Sequence, residues 1–351
     1  MRIAVIGYGG MGGWHCDLIG RIEELELAGI YDILEERREA AHSKGIYAYE
    51  TLEELLGDDT VELVTVAIPN HLHKDMCIRV MQAAKHVVCE KPVALNHEEL
   101  QEMIDASHEN QVLFTVHQNR RWDEDFRVMK QIYDQGTLGK VFRIESRVHG
   151  SRGIPGDWRN KKECGGGMVL DWGVHLLDQI MQMIPEKLVS IYTELSNVTN
   201  EECDDGFTVT LKFEHDLTVV VEVGTSNFIS LPRWYMLGEN GSAVIEDWQL
   251  NGKIVMVSDW QNREAVPVVT AAGLTKTMAP RTDETIKEYP LPRIDSDIRD
   301  FYRNVVNAIR GKEEQLIKHD EVMRVMKLME ALFESGENNA VITDFEERCK
   351  K

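Results

Sequence analysis

The chain opens on Arg2-Ile3-Ala4-Val5-Ile6, four apolar residues in succession after one charge, and this unbroken run predicts a strand covered on both faces. Runs of the same kind recur at Leu25–Asp32, Val61–Ile68, His86–Glu90 and Val112–Val116. Between them the period lengthens to that of helices. Gly13–Glu24 sets Trp14, Leu18 and Ile22 on one side, and Glu35–Lys44 is helical. Thr51–Leu56 carries a capping box in Thr51 and Glu54, a further helix runs to about Ala84, and Asn96 caps one that begins His97-Glu98-Glu99. Fully apolar strands alternating with helices predict a doubly wound parallel sheet over residues 1–121.

From Trp122 the pattern changes. Trp122–Gln135 reads as a helix with Phe126, Met129, Ile132 and Tyr133 as its apolar set. Val141–His149 then alternates strictly, with Phe142, Ile144, Ser146 and Val148 on one side and Arg143, Glu145, Arg147 and His149 on the other. That is a half-buried strand. Further strands are predicted at 188–195, 207–213, 217–223, 233–237, 243–245 and 253–258, with a hairpin signal at Gly238-Glu239-Asn240-Gly241. Few helices separate them, so residues 122–351 read as an α+β domain built on a mainly antiparallel sheet. Residues 259–292 carry four prolines and read as a surface excursion. Helical period returns at Asp295–Ile309 and Asp320–Glu334, helices that would pack back on the first domain.

Composition narrows the function. Sixty acidic against 39 basic residues give a formal charge of −21 in 351 residues, a field that repels nucleic acid and anionic membranes. No apolar run approaches a membrane span, and the strand-like start leaves no room for a secretory signal. Six scattered cysteines without a CxxC pair fit reduced thiols in a cytoplasmic protein. His71-x-His73 is too small a ligand set for a metal, so none is expected.

The first apolar run ends in Gly7-Tyr8-Gly9-Gly10-Met11-Gly12, a GxGxxG loop between a strand and a helix. Its first glycine permits the tight turn, its second lets backbone approach a pyrophosphate, and its third allows close helix–strand packing. Asp32 follows Gly12 by twenty residues, the spacing of a carboxylate that bonds the adenosine ribose. The cofactor predicted is NAD. Asp32 repels a 2′-phosphate, although Arg37 and Arg38 on the next helix weaken the discrimination against NADP. In such sheets ligands lie at the carboxyl ends of strands, where Ile68, Asn70, His71, His73, Glu90, Lys91, His117 and Asn119 fall.

In the middle of the chain, Gly166-Gly167-Met168-Val169-Leu170-Asp171-Trp172-Gly173-Val174-His175 places a carboxylate and an imidazole four residues apart. On a helix they share a face and form acid/base equipment. Together with the glycine loop and Glu90-Lys91-Pro92, this segment resembles the Gfo/Idh/MocA family of NAD(P)-dependent oxidoreductases, which includes inositol dehydrogenases and glucose–fructose oxidoreductase. The resemblance covers nearly the whole chain. It implies a Rossmann domain followed by a substrate and oligomerisation domain, with dimers or tetramers formed through the second sheet. It also places Lys91 near nicotinamide and substrate, with Asp171 and His175 completing the site, and an unusual backbone geometry at Glu90 or Lys91.

The residues themselves leave the proton to His175, the favoured base, or to Lys91. Trp158 and Arg159, in the loop before the Asp171 segment, offer an apolar platform beside hydrogen-bond donors, and Arg120 ends the first domain near the same cleft. The expected activity is hydride transfer between NAD and a secondary hydroxyl of a sugar, glycoside or cyclitol, C3 of a pyranoside included. Two alternatives stand beside it, a redox-assisted glycosidase that returns NAD to its starting state and a non-catalytic NAD-binding sensor.

Overall fold

The computed structural model describes residues 1–262 and 266–350. The first sheet is built from β1 (Arg2–Ile6), β2 (Glu26–Tyr31), β3 (Leu63–Val66), β4 (His86–Cys89) and β5 (Phe114–Val116), joined through α1 (Gly10–Ile19), α2 (Glu35–Ser43), α3 (Leu52–Gly57), α4 (His73–Gln82) and α5 (His97–Glu109). Its order is β2-β1-β3-β4-β5 with every pairing parallel. The order reverses at β1, and the crevice over β1 and β3 is where a doubly wound sheet takes its ligand. Both predicted caps form. Thr51 and Glu54 close a reciprocal box, and Asn96 Oδ1 accepts from Glu99 N at 2.8 Å.

Three helical details differ from the sequence reading. Helix α1 starts inside the glycine loop and stops at Ile19, so its buried face is Gly12, His15, Cys16, Leu18 and Ile19. Trp14 lies at the margin of that face beside Leu18 and is 38% exposed, and Ile22 falls beyond the end of the helix. The predicted Trp122–Gln135 helix is divided into a 3₁₀ turn at Asn119–Trp122 and α6 (Glu124–Asp134). The segment bearing Asp171 is a π turn, Val169–Gly173, that runs directly into α7 (Val174–Met183).

The second sheet holds β6 (Val141–His149), β7 (Leu188–Ser196), β8 (Gly206–Phe213), β9 (Thr218–Gly224), β10 (Trp234–Gly238), β11 (Gly241–Ile245) and β12 (Gly252–Val257). The excursion 259–292 contains strands the pattern did not predict, the small hairpin of β13 (Val268–Thr270) and β14 (Gly273–Thr275), and β15 (Ile286–Tyr289); residues 263–265 lie outside the described residues. Strand β15 pairs antiparallel with β12 at the sheet edge, where one half-covered face suffices and a short, mostly exposed strand carries little apolar signal. The order is β15-β12-β11-β10-β6-β9-β8-β7, antiparallel except for the β6–β9 pair. The expected hairpin joins β10 to β11 with Gly238 opposite Gly241.

Helices α6, α7, α8 (Arg299–Ile309), α9 (His319–Asn338) and α10 (Phe345–Arg348) complete the chain. Buried Trp234 of β10 donates to Asp125 of α6 at 3.0 Å, and Thr193 N of β7 donates to Ser335 of α9 at 2.9 Å, so these helices cover one face of the sheet. Its other face bears a charge row in which Glu145 meets Arg143 and Arg147, and Arg147 meets Glu222. Helix α8 returns to the first sheet, where Tyr302 Oη lies 2.9 Å from Thr65 Oγ1 of β3. No helix of the described residues is long and apolar enough to cross a membrane.

Candidate active site

The glycine loop has the geometry its sequence requires. Gly7 sits at φ +92°, a left-handed conformation open to glycine, and a Cβ on Gly12 would stand 1.8 Å from the Gly7 carbonyl oxygen. Nothing lies within 4 Å of where a Cβ would extend from Gly10 or Gly13, so the approach to the N-terminus of α1 is open to a pyrophosphate. Asp32 is 4% exposed. Its Oδ2 accepts from Tyr8 N at 2.7 Å and its Oδ1 from Leu34 N at 2.9 Å, which locks the loop to the end of β2. Arg37 reaches the same carboxylate at 3.3 Å. This cradle fits a dinucleotide.

The end of β4 supplies the second part. The Lys91–Pro92 peptide is cis. Lys91 Nζ donates to the Asp171 carbonyl at 2.9 Å and to its carboxylate at 3.0 Å, so the cation of one domain is seated on the π turn of the other. Asp171 is thereby turned toward Lys91. Four residues on, His175 is buried, and its Nδ1 has no hydrogen-bond partner among the described residues. Burial, then the Lys91 and Arg120 charges, hold its pKa well below the ordinary 6.5, so the ring is neutral and able to accept a proton.

The π turn is held from behind. Gly167 sits at φ +99°, and a Cβ there would stand 2.2 Å from Asp204 Oδ1. Asp204 Oδ2 accepts from Val169 N at 2.7 Å, and burial pushes this carboxyl up to about 7. On the near side Asn70 Nδ2 donates to the Gly165 carbonyl at 2.8 Å, tying the end of β3 to the glycine run.

Of the remaining predicted residues, Arg159 closes on the centre, its guanidinium 4.5 Å from the Trp158 ring and 3.8 Å from Asp171. Arg120 lies 4.2 Å over the Trp172 ring and bonds Asp123 at 2.8 Å. Ile68 and Asn119 are half-buried, His71 and Met11 are exposed, and Asn119 Oδ1 is buried without a partner among the described residues. His73 differs from the expectation of a cleft residue. It is fully buried, with its ring nitrogens 2.9 Å from the Pro92 carbonyl and 2.8 Å from that of Ile68. Burial lowers its pKa against the two carbonyl contacts, which raise it, and the ring braces the Lys91–Pro92 turn from below.

Glu90 differs in the same way. Its carboxylate is buried and turned to two imidazoles and a backbone N–H. Oε1 accepts from His15 Nε2 and His117 Nδ1, both at 2.8 Å, and Oε2 from Lys91 N at 3.1 Å. Burial opposes its ionisation, yet the His117 and His15 contacts hold it well below the ordinary 4.5. His15 Nδ1 in turn accepts from Tyr302 Oη at 2.8 Å. The three side chains also form a ligand set for a metal. Their 2.8 Å spacings are those of shared protons, since ligand atoms around a tetrahedral zinc stand about 3.3 Å apart at ordinary Zn–N lengths. Sequence reasoning did not anticipate His15, although its place three residues after Gly12 puts it on the buried face of α1. Trp172, Trp248 and Tyr302 carried no local signal.

Residues 1–118 match the oxidoreductase family with NAD-binding Rossmann fold, and residues 126–244 match the GFO/IDH/MocA C-terminal domain. A solved NAD-binding protein from Listeria innocua is 45% identical, with a TM-score of 0.94 over 97% of this chain and 99% of that one. A scyllo-inositol 2-dehydrogenase (NADP(+)) from Bacillus subtilis is 26% identical over 97% of this chain and 95% of its own. A myo-inositol 2-dehydrogenase from Thermotoga maritima is 32% identical over 63% of this chain and 68% of its own.

Proposed function

The chain belongs to the Gfo/Idh/MocA family of NAD-binding oxidoreductases, dehydrogenases of CH–OH groups, and on that premise we propose that it transfers hydride between NAD and a secondary hydroxyl of a sugar, glycoside or cyclitol at the Lys91–Asp171–His175 centre. The observation that supports this reading most directly is the seating of Lys91 Nζ on both the carboxylate and the carbonyl of Asp171, four residues before a neutral, buried His175.

Residues Gly7 to Gly12 and Asp32 hold the dinucleotide, whose nicotinamide supplies a two-electron hydride acceptor. Asp171 holds the Lys91 side chain in place through its carboxylate and carbonyl. The ammonium binds the reacting oxygen and stabilises negative charge there as the hydroxyl loses its proton. His175 takes that proton, and in the reverse direction returns it to the carbonyl oxygen. Arg159 and Arg120 donate to neighbouring hydroxyls, with the Trp158 ring as a platform. The open, charged face of the eight-stranded sheet is the surface we assign to self-association as a dimer or tetramer, a reading that light scattering checks.

The test is a 340 nm screen of NAD with free sugars, glycosides and inositols, with products identified by mass spectrometry. A ketosugar or ketocyclitol formed with NADH is the expected result. Lys91→Met and His175→Asn each lower kcat at least 100-fold, within the range of a positioned acid/base group, while NAD still binds. Glycoside cleavage without net NADH identifies the redox-assisted hydrolase instead. Wild-type turnover by either variant removes that residue from its role.

A further inference from the structure

A cavity of about 380 Å³ is lined by Trp14, Asn119, Trp122, Asp123, Glu124 and Trp248 among others. Its volume is that of a small-molecule site, of the order of 300–1,000 Å³. Its walls come from four separate places, the outer side of α1, the turn after β5 with the start of α6, the connection between β11 and β12, and the segment before α8.

A chain of side-chain contacts links the cavity wall to the reaction centre. The Trp172 ring stands 5.9 Å from His175 and 6.1 Å from Trp248, and the Arg120 guanidinium lies between the two indoles, 4.2 Å from one and 5.4 Å from the other. A row of flat surfaces thus leads from the proton acceptor to the cavity wall.

Its chemistry is distinctive. Trp14 and Trp248 are 38% and 48% exposed, a large apolar area to leave toward water. Beside them stand a buried acceptor and a buried donor without partners among the described residues, Asn119 Oδ1 and Arg120 Nε. Native proteins pair such atoms, and a ligand is one of the partners that completes them. The acidic wall is only partly neutralised. Arg120 answers Asp123 at 2.8 Å and Arg233 answers Asp125 at 3.0 Å, which leaves Glu124 uncompensated among the cavity residues. Phosphate and carboxylate groups are repelled there, whereas hydroxyl groups find acceptors. Apolar faces and hydroxyl acceptors in one cavity match a pyranose ring, which is apolar on its C–H faces and hydroxylated at its rim.

We propose that this cavity is a distal subsite for a second, uncharged, hydroxylated ring, so that the substrate is an uncharged two-ring glycoside with one ring oxidised at Lys91–His175 and the other held between Trp14 and Trp248. The proposal rests on the dehydrogenase reading for the oxidised ring and on the cavity alone for the second.

The test uses full-length protein with and without saturating NAD, titrated with maltose and trehalose against methyl glucoside, glucose and myo-inositol. Intrinsic tryptophan fluorescence reports binding, and NADH formation reports turnover. At least one disaccharide is expected to bind tenfold or more tightly than every one-ring ligand. Trp248→Ala and Trp14→Ala, taken from opposite walls and both solvent-facing, are each expected to cut that preference to twofold or less. Equal affinity for one-ring and two-ring ligands in the wild type overturns the subsite. So does an unchanged preference in both variants, or a loss of NAD affinity in them as large as the loss of disaccharide affinity, which assigns the cavity to the cofactor. Disaccharide binding that depends on Trp248 without any oxidation keeps the subsite and removes the dehydrogenase reading. Oxidation of inositol with no disaccharide binding does the reverse.

Discussion

Glu90→Gln is the substitution that isolates the layer beneath the cleft. The two side chains have nearly the same volume, so no cavity term enters, and the effect comes from hydrogen bonding and charge alone. In the native protein three donors converge on one carboxylate, His15 Nε2 and His117 Nδ1 at 2.8 Å and Lys91 N at 3.1 Å. An amide offers one oxygen and one NH₂ group. If the oxygen keeps both imidazoles, the NH₂ faces the Lys91 N–H, and a buried donor left without an acceptor costs about 1–3 kcal/mol. The two surviving bonds change from charge-assisted to neutral, a loss of about 1 kcal/mol each. Relief of the desolvation borne by the carboxylate returns part of this, so a net loss of about 2–4 kcal/mol is expected. Against a total stability of about 5–15 kcal/mol this is readily measured. The assay is equilibrium urea unfolding at pH 7.5, followed by circular dichroism and fluorescence. The pH dependence adds a second check. The folded Glu90 pKa lies well below the ordinary 4.5, so its contribution is complete above pH 4.5 and is lost as pH falls toward the folded value. The gap between wild type and variant therefore narrows below pH 4.5. A loss under about 0.5 kcal/mol at pH 7.5, the size of an ordinary surface change, refutes the reasoning.

Three other outcomes follow from the same geometry. Gly12→Ala forces a Cβ to within 1.8 Å of a backbone oxygen that cannot yield, and NAD affinity measured by calorimetry is expected to fall at least tenfold. Asp32→Ala removes the acceptor of two loop N–H groups and leaves Arg37 unopposed; NAD binding is expected to weaken much more than NADP binding, and equal weakening takes Asp32 away from the ribose. Because His175 is held below 6.5 by burial and by the Lys91 and Arg120 charges, kcat/KM for oxidation is expected to stay level from pH 8 through 6.5 and to decline only below it. Arg120→Gln moves that decline upward in pH, and a wild-type acid limb at or above 6.5 contradicts the assignment.

What was legible in the sequence was what local spacing encodes. The glycine loop, Asp32, the two capped helices and the β10–β11 hairpin each depend on residues within a few tens of positions, and each is found in place. The proximity of Lys91 to the Asp171 segment was reached only through family resemblance, since 80 residues separate them. The turn of Glu90 to its imidazole partners was hidden for the same reason, since they lie 75 and 27 positions away. Trp14 was grouped with Leu18 and Ile22, but the helix ends at Ile19, and its buried face centres on His15, Cys16 and Ile19, which leaves Trp14 at the margin. Asp171 and His175 share a helical segment as predicted, but the four-residue spacing does not reveal a π turn. Trp248 reaches the cleft from a loop between two edge-side strands, a placement set by sheet order rather than by any nearby motif.

The Tyr302 contact has a consequence for how the protein is made. Thr65 and His15 of the first sheet layer are 237 and 287 residues ahead of the hydroxyl that completes them. At about 5–20 residues per second, a ribosome needs roughly 12–47 s to travel from Thr65 to Tyr302. For the later part of that interval the nucleotide-binding half has been synthesised without its last layer, and Thr65 and His15 lack the Tyr302 hydroxyl. A nascent chain halted at residue 121 should therefore be held in a loosened, protease-sensitive form, and the capacity to grip a dinucleotide should appear only once α8 has been translated. The order of synthesis then delays cofactor capture until the residues that line the substrate side already exist.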